Sequence, residues 1–250
     1  MVPFKVNNNR LPQGDLEFVA FLNGMRKTKS EVGVIIPTLN EEKTIASVIE
    51  RTKFYVDKIL VIDGGSEDRT VEIAKEIGID VVFQESRGKG AAMREAFDHI
   101  DSEFIVVLDA DGSMRPEEIP NFLKGIYSGA DIVKGSRFIY NGDSEDITFF
   151  RRFGNSLFIS LINLMWGTNY TDLCYGFMAF RKDAIEKLSP ILRSKGFGIE
   201  TEIIIKAKKL GLRTVEVPSV ELKRLFGNSK LNTFRDGLKI LMTILREIFL

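Results

Sequence analysis

The stretch Phe104-Ile105-Val106-Val107-Leu108-Asp109-Ala110-Asp111-Gly112 decides the fold. Its apolar run, followed by a turn signal, predicts a buried strand. Two carboxylates come directly after that strand, separated by one small residue. In an open α/β sheet, ligands bind in the crevice beyond the carboxyl ends of the strands. Carboxylate oxygens at that edge suit a hard divalent cation that also holds phosphates, such as Mg²⁺ or Mn²⁺.

The same two carboxylates also have a purely structural explanation. Asp111-Gly112 is a typical turn pair, and Asp109 could cap a helix that begins near Pro116. The three residues Asp-Ala-Asp leave both explanations open, so the rest of the chain has to distinguish between them.

Strands and helices alternate along the chain from residue 32 to residue 133. This alternation is typical of parallel strands joined by right-handed crossovers. We therefore predict an α/β fold with a doubly wound, mostly parallel central sheet and helices on both faces. Apolar runs and helical periodicity predict strands over 32–36, 59–62, 80–83, 104–108 and 131–133, and helices over 41–53, 68–77, 90–99 and 117–127.

The regular alternation of strands and helices ends after residue 140. A polar loop at 141–146 leads to a basic and apolar helix, and the chain closes with an amphipathic helix. We divide the chain into an N-terminal arm (1–30), a main domain (31–230) with halves 31–135 and 136–230, and a C-terminal helix (231–250). The later elements are helices over 150–166, 200–210 and 231–250 and strands over 177–180 and 214–217.

Composition is ordinary for a folded protein. Of 250 residues, 44% are hydrophobic and 28% are charged. Lys+Arg and Asp+Glu both number 35, so the chain has no excess of positive charge that would indicate binding to nucleic acid. The single cysteine, Cys174, excludes an internal disulfide and fits a reducing compartment. We interpret Cys174 and the single histidine, His99, as structural.

No membrane or export segment is visible in the sequence. Polar residues interrupt the N-terminal stretch, which argues against a signal peptide. No segment reaches the roughly 18 to 20 apolar residues that a membrane span needs. We expect a cytoplasmic protein that is soluble or peripheral to a membrane.

Polar turns also follow the first two predicted strands. They read Pro37-Thr38-Leu39-Asn40-Glu41-Glu42 and Asp63-Gly64-Gly65-Ser66. Thr38 or Asn40 could simply cap the next helix, and Asp68 the one after it. Alternatively both turns face the ligand crevice, where Asp63 could accept a hydrogen bond from a base or a ribose.

Two common nucleotide-binding signatures are absent. No Gly-x-Gly-x-x-Gly follows the first strand, which argues against a dinucleotide fold. Arg87-Gly88-Lys89-Gly90 lacks the spacing of a P-loop, so we exclude a P-loop NTPase.

The order of these motifs closely resembles the family-2 glycosyltransferases, which have the GT-A (nucleotide-diphospho-sugar transferase) fold. The resemblance covers about residues 32 to 235 and rests on 37–42, 63–70, 88–92 and 109–112. Later motifs are similar to polyprenyl-phosphate hexosyltransferases of the dolichol-phosphate mannose or glucose synthase type. They are Lys134-Gly135-Ser136-Arg137, Arg151-Arg152-Phe153-Gly154-Asn155, Asp172-Leu173-Cys174-Tyr175-Gly176-Phe177 and Arg224-x-x-Gly227-x-Ser229-Lys230-Leu231.

The resemblance implies a role for individual residues and makes 31–135 the nucleotide-binding half and 136–230 the acceptor half. The metal, Mg²⁺ or Mn²⁺, would be held by Asp109 and Asp111, with Ser113 where relatives often have Gln. The catalytic set would be Asp109, Asp111, Arg137, Arg152 and Asp172, with both arginines at the acceptor phosphate. The donor-binding set would be Pro37, Thr38, Glu41, Asp63, Lys89, Asp109, Ala110, Asp111, Arg224, Ser229 and Lys230.

Charge arguments agree with these roles. Sugar transfer builds negative charge on the departing diphosphate, which a metal and converging cations stabilise. A phosphate acceptor is already an anion, whereas an alcohol acceptor would need a base such as Asp172, Glu200 or Glu202. We predict an inverting transferase that moves mannose or glucose from a GDP- or UDP-hexose to a polyprenyl phosphate.

Other functions remain open alternatives. The nearest is the same fold acting on a soluble or polysaccharide acceptor. A nucleotidyltransferase would release pyrophosphate instead of a nucleoside diphosphate, and a non-catalytic module would only bind the donor.

Two helices suggest contact with a membrane surface. Helix 150–166 has arginines at one end and Trp166 at the other, which suits a membrane interface or, alternatively, an ordinary buried helix. Helix 231–250 allows the same two explanations or a homodimer contact. We expect a protein peripheral to the cytoplasmic face of a membrane.

Overall fold

The computed structural model describes residues 31–56, 58–224, 226–227 and 230–249. The predicted N-terminal arm therefore lies outside the described residues. The strands are β1 (Val32–Thr38), β2 (Lys58–Asp63), β3 (Asp80–Phe83), β4 (Phe104–Val107), β5 (Ile132–Ser136), β6 (Asp143–Ser144), β7 (Met178–Arg181), β8 (Thr214–Pro218) and β9 (Val220–Glu221).

Seven of these strands form the main sheet, in the order β3-β2-β1-β4-β7-β5-β8. Its neighbours are parallel except around β7, which runs antiparallel to both β4 and β5. The predicted doubly wound, mostly parallel sheet is confirmed. A separate parallel pair, β6 with β9, joins the chain after β5 to the chain after β8.

Helices cover both faces of the sheet. They are α1 (Ile45–Thr52), α2 (Thr70–Glu76), α3 (Lys89–His99), α4 (Ile119–Tyr127), α5 (Phe149–Trp166), α6 (Lys182–Leu188), α7 (Ile199–Lys209) and α8 (Thr233–Phe249), with short 3₁₀ turns at Pro116–Glu118 and Ser189–Ile191.

Two hydrophobic clusters result from the alternation of side chains along the strands. In β1, Val34 and Ile36 pack on the side of α1 and α4, whereas Ile35 packs on the side of α3 and α7. Because both faces are covered, the central strands are apolar throughout, as the sequence of β4 indicated. In β1, β2 and β4 the polar side chains therefore lie at or just beyond the strand ends, whereas β5 carries the buried Lys134 in its middle.

Two of the expected helix caps are wrong. The first helix begins at Ile45 and not at residue 41, with Thr44 at the N-cap position, so neither Thr38 nor Asn40 caps it. Asp109 does not cap the 3₁₀ turn at Pro116, where Arg115 is the preceding residue. Asp68 does accept a hydrogen bond from the Thr70 N–H at 3.0 Å, at the start of α2.

Candidate active site

An open cleft lies beyond the carboxyl end of β4. Residues 109–113, here called the acidic loop, follow β4 and line the cleft together with residues of α5 and α8. The cleft is also lined by Arg137 after β5, Gly176 before β7 and Glu200 on α7. Parallel strands bring their carboxyl ends to one edge, and the reversed β7 presents its beginning there, so sequence-distant loops meet in this cleft.

Asp109 shares one cation with a second acid. Lys89 Nζ lies 2.7 Å from Asp109 Oδ1 and 3.0 Å from Glu200 Oε1. Burial alone would lower the pKa of Lys89, but the two carboxylates hold it well above its usual value. Burial also raises the pKa of Asp109, although Lys89 opposes this. A permanently charged ammonium therefore compensates two acids.

Gly176 leaves the space for this contact. A Cβ on Gly176 would lie 2.5 Å from Lys89 Nζ and 3.2 Å from Glu200 Oε1. Such distances are too short for non-bonded atoms. The glycine therefore allows the main chain before β7 to pass close to the buried ions.

Asp111 forms both a turn and an ion pair. Its Oδ1 accepts a hydrogen bond from the Ser113 N–H at 2.9 Å, and Gly112 has a φ of 76°. Its Oδ2 accepts from Arg224 Nη2. The turn explanation and the binding-site explanation are thus compatible.

Glu41 extends this charged cluster. Arg224 Nη1 lies 3.4 Å from Glu41 Oε1, and Lys230 Nζ lies 3.6 Å from the same oxygen. Burial raises the pKa of Glu41, although both cations oppose it. The structure therefore brings together Glu41, Asp111, Arg224 and Lys230, whereas Ser229 lies outside the described residues.

Arg137 is buried in a two-acid clamp. It donates to Asp172 through Nε at 2.7 Å and Nη2 at 3.0 Å, and through Nη1 to Glu221 at 2.9 Å. Its guanidinium carbon lies 4.9 Å from the centre of the Tyr175 ring. Burial would raise the pKa of Asp172, but Arg137 and Lys134 leave it below its usual value. The sequence motifs gave no role to Glu221 or to Tyr175, although Tyr175 stands in the motif 172–177.

The two neighbouring arginines of α5 point to different places. Arg151 lines the cleft, together with Gly154 and Asn155, and donates to the Leu231 carbonyl at 3.0 Å. Arg152 is exposed, and its guanidinium carbon lies 5.1 Å from the centre of the Phe138 ring. The i, i+3, i+4 spacing of Arg151, Gly154 and Asn155 is the helical signal that could have identified Arg151.

Asp63 is buried and held locally at the end of β2. It accepts from Thr38 Oγ1 at 3.2 Å and from the N–H groups of Gly65 and Ser66 at 2.8 Å each. Thr38 lies opposite Asp63 in the β1–β2 register, one residue after Pro37. Pro37, Thr38 and Asp63 therefore lie at the carboxyl ends of β1 and β2. Ala110, between the two acids, is buried in the core.

The acidic loop fits a shared metal. Within the described ranges, no group of three or more His, Cys, Asp and Glu residues forms a complete metal site. Asp109 and Asp111 nevertheless offer hard oxygen ligands beside the buried Ser113. Mg²⁺ typically binds one or two carboxylates together with substrate phosphates, so this donor set suits a metal that a diphosphate brings with it.

Helices α5 and α8 expose apolar side chains next to the cleft. They pack against each other and line it through Phe150 and Ile240, among others. Only Asn155 and Ile162 of α5 are fully buried, so α5 is not an ordinary buried helix. No helix in the described part of the chain is long and apolar enough to cross a bilayer. The exposed apolar side chains, here called the apolar face, are Phe149, Phe150, Phe153, Leu157, Leu164 and Met165 of α5 and Phe234, Leu238, Met242, Leu245 and Phe249 of α8.

Known proteins are similar to this chain in sequence and in fold. Residues 33–189 match the family described as glycosyl transferase family 2. Glycosyltransferase AglJ of Haloferax volcanii is 36% identical over 224 residues, covering 88% of this chain and 73% of that protein. A dolichyl-phosphate hexose transferase of the same organism is 32% identical over 222 residues, covering 88% and 94%.

A solved structure shows the same fold. Glucosyl-3-phosphoglycerate synthase from Mycobacterium tuberculosis, in complex with Mn²⁺, UDP and glucosyl-3-phosphoglycerate, superposes with a TM-score of 0.72 at 23% identity. The match covers 88% of this chain and 81% of that one. The likeness supports the GT-A fold of the chain.

Proposed function

The chain belongs to glycosyl transferase family 2, and from this premise we propose that it transfers a hexose to a polyprenyl phosphate. The donor is a GDP- or UDP-hexose, the reaction inverts the anomeric centre, and Mg²⁺ or Mn²⁺ assists it. The enzyme works at the cytoplasmic face of a membrane, bound there through the apolar face.

One observation carries this proposal. The same cleft is lined by the acidic loop with Lys89 and Arg224 and by residues of the two helices that carry the apolar face. An acceptor with an anionic head and a long hydrocarbon tail needs both environments within the length of one head group. A water-soluble acceptor would have no use for exposed phenylalanines beside the cleft.

The relatives support the same acceptor. The relative named dolichyl-phosphate hexose transferase matches 94% of its own length. Because the match also covers 88% of this chain, a polyprenyl phosphate is the acceptor we propose for it.

The donor side stabilises charge on the leaving group. Lys89, Arg224 and Lys230 surround the acidic loop, where the diphosphate of the donor binds. When bound, the divalent ion supplies further neutralisation of the charge that develops on that diphosphate. These cations act where negative charge accumulates on the leaving group.

The acceptor side orients an anion. Arg151 on the cleft wall binds the acceptor phosphate, since a guanidinium can contact two phosphate oxygens at once, and the exposed Arg152 would have to turn from Phe138 to join it. Asp172 keeps Arg137 in place through two hydrogen bonds and stays ionised, because its pKa lies below its usual value. The acceptor oxygen is already ionised at neutral pH and attacks without a general base.

The test is a donor screen with a lipid acceptor. Purified enzyme is incubated with radiolabelled UDP-glucose, UDP-galactose or GDP-mannose, with dolichyl phosphate and MnCl₂. Label that enters the organic phase with one donor, and not with Asp111→Asn, supports the proposal. Label that appears only in water-soluble glycosides contradicts the acceptor, and pyrophosphate release contradicts sugar transfer.

A further inference from the structure

We propose that Arg224 is an exchangeable counter-ion of Asp111. It pairs with Asp111 while no divalent ion is bound and pairs with the donor diphosphate once one is. This rests on the proposed function in one respect, since it requires a diphosphate donor that arrives with a metal.

Both carboxylate oxygens of Asp111 already have a partner in this structure. Oδ1 accepts the Ser113 N–H, and Oδ2 accepts Arg224 Nη2. A divalent ion on Oδ2 would stand against a guanidinium of the same sign. Arg224 in its present position therefore opposes metal binding at Asp111, and its departure would remove that repulsion.

Arg224 itself is incompletely bonded. Its Nη1 lies 3.4 Å from Glu41, and its Nε is buried with no acceptor among the described residues. A buried donor without a partner costs free energy. An anion that arrives with several oxygens can satisfy it, which makes a diphosphate a better partner than the pair of carboxylates.

The main chain just before Arg224 is tied to the acidic loop. Two residues earlier, the Leu222 N–H donates to the Ser113 carbonyl at 2.8 Å. This contact keeps Arg224 beside Asp111, so a diphosphate bound at the acidic loop lies within reach of its side chain.

Lys89 cannot exchange in this way. It is enclosed by Asp109, Glu200 and Gly176, and two carboxylates hold it. Of the two cations that the structure places on Asp109 and Asp111, Arg224 is therefore the one that can be removed.

Exchange predicts coupled binding. The metal alone must displace Arg224 without giving it a new partner, and the donor alone would leave Asp111 unpaired. When both bind, every charge is paired, so each increases the affinity of the other by the same factor. Arg224 is the residue that contributes this coupling.

The experiment measures Mn²⁺ binding by EPR titration, without and with UDP or GDP, in wild type and Arg224→Met. Without nucleotide, Arg224→Met should bind Mn²⁺ about 10-fold more tightly than wild type, because no cation has to be displaced. With nucleotide, the same variant should lose that advantage, and UDP or GDP should bind it more weakly. Unchanged or weaker Mn²⁺ binding in the absence of nucleotide would overturn the proposal.

Lys230→Met is the matched control. It removes the same charge from the same segment, but Lys230 is exposed and lies 3.6 Å from Glu41 instead of on Asp111. Its effect on Mn²⁺ alone should be less than about 2-fold, as expected for an exposed ion pair. An equal gain in Mn²⁺ affinity in both variants would mean that loss of any nearby positive charge has this effect. That result would contradict the assignment to Arg224.

This titration separates the inference from the proposed function. It needs no acceptor, so tighter Mn²⁺ binding in Arg224→Met supports the exchange even if no label enters the organic phase. That combination would overturn only the acceptor. If neither protein binds Mn²⁺ with UDP or with GDP, the exchange is wrong whatever the transfer assay gives.

Discussion

Lys89 Nζ lies 2.7 Å from Asp109 Oδ1, so this acid of the loop is already neutralised before any ligand binds. The same ammonium reaches the buried Glu200, which has 3% of its side chain exposed. The position of Asp109 is therefore set by a three-residue ion cluster that spans α3, the acidic loop and α7.

Gly176→Ala should disrupt this cluster without a large loss of stability. The new Cβ would lie 2.5 Å from Lys89 Nζ and must displace the ammonium. We expect kcat/KM to fall on the order of 100-fold, as for a displacement of about 1 Å in a reacting site. Steady-state kinetics with dolichyl phosphate measures it.

Gly196→Ala is the control for this variant, because no atom lies within 4 Å of its Cβ. It should keep wild-type kinetics. Full activity in Gly176→Ala would show that the Lys89 cluster is not required.

Asp172→Asn should destabilise the protein in a pH-dependent way. The change removes the main partner of the buried Arg137 and should cost about 3 kcal/mol near neutral pH. Because the pKa of Asp172 is lowered in the folded state, its contribution is present above about pH 4 and disappears as the pH falls through the folded pKa. The difference between wild type and variant should therefore shrink toward pH 3.

Guanidinium unfolding from pH 3 to pH 7 measures this difference. Asp183→Asn removes an exposed acid 3.6 Å from Arg181 and should leave the free energy of unfolding at each pH as in wild type. A difference between wild type and Asp172→Asn that grows toward low pH would contradict the assigned direction.

Cys174 should resist alkylation in the native state. Burial raises the pKa of its thiol to about 12. At pH 8 only about one thiol in 10,000 is then ionised, and the thiolate is the reactive form. Iodoacetamide followed by mass spectrometry should show slow labelling that accelerates as the pH rises and becomes rapid in guanidinium. Complete labelling of folded protein within minutes at pH 8 is the contrary result.

Charges on the apolar face should release the protein from vesicles. Leu164 and Leu238 are 82% and 58% exposed, one on each helix. Burial of a leucine in the interface contributes up to about 2 kcal/mol, so Leu164→Glu with Leu238→Glu should lower partitioning by more than about 10-fold. Co-sedimentation with vesicles of phosphatidylcholine and phosphatidylglycerol measures it.

Phe54→Glu is the matched control, since Phe54 is 47% exposed and lies outside the apolar face. It should bind vesicles as wild type does. Equal loss in both proteins would argue against the apolar face as the membrane contact.

The sequence predicted the sheet well because its strands are buried on both faces. An uninterrupted apolar run followed by Asp or Pro marks β1, β2 and β4 directly. It did not predict α6, β6 or β9. The last two have only two residues each, and their pairing joins positions 77 residues apart, which no local pattern encodes.

The site was predicted less completely, for a physical reason. Motif order identified Asp109, Asp111 and Arg224, but ion pairs between them are tertiary contacts. Which of Arg151 and Arg152 faces the cleft depends on the rotation of α5 about its axis, and its exposed aromatic residues obscure the usual apolar stripe. The pairing of Lys89 with Glu200 likewise depends on how α7 packs, and the roles of these residues stay predictions.

The reversed strand β7 has a consequence for the order of folding. β5 pairs only with β7 and β8, and β7 alone connects it to β4. The four strands β3, β2, β1 and β4 need no later segment to pair. The backbones of these four strands can therefore pair before that of β5, which needs β7, although the Ile35 side of the sheet is covered only when α7 packs on it. The half of the sheet that carries the acidic loop is thus a template on which the other half completes itself.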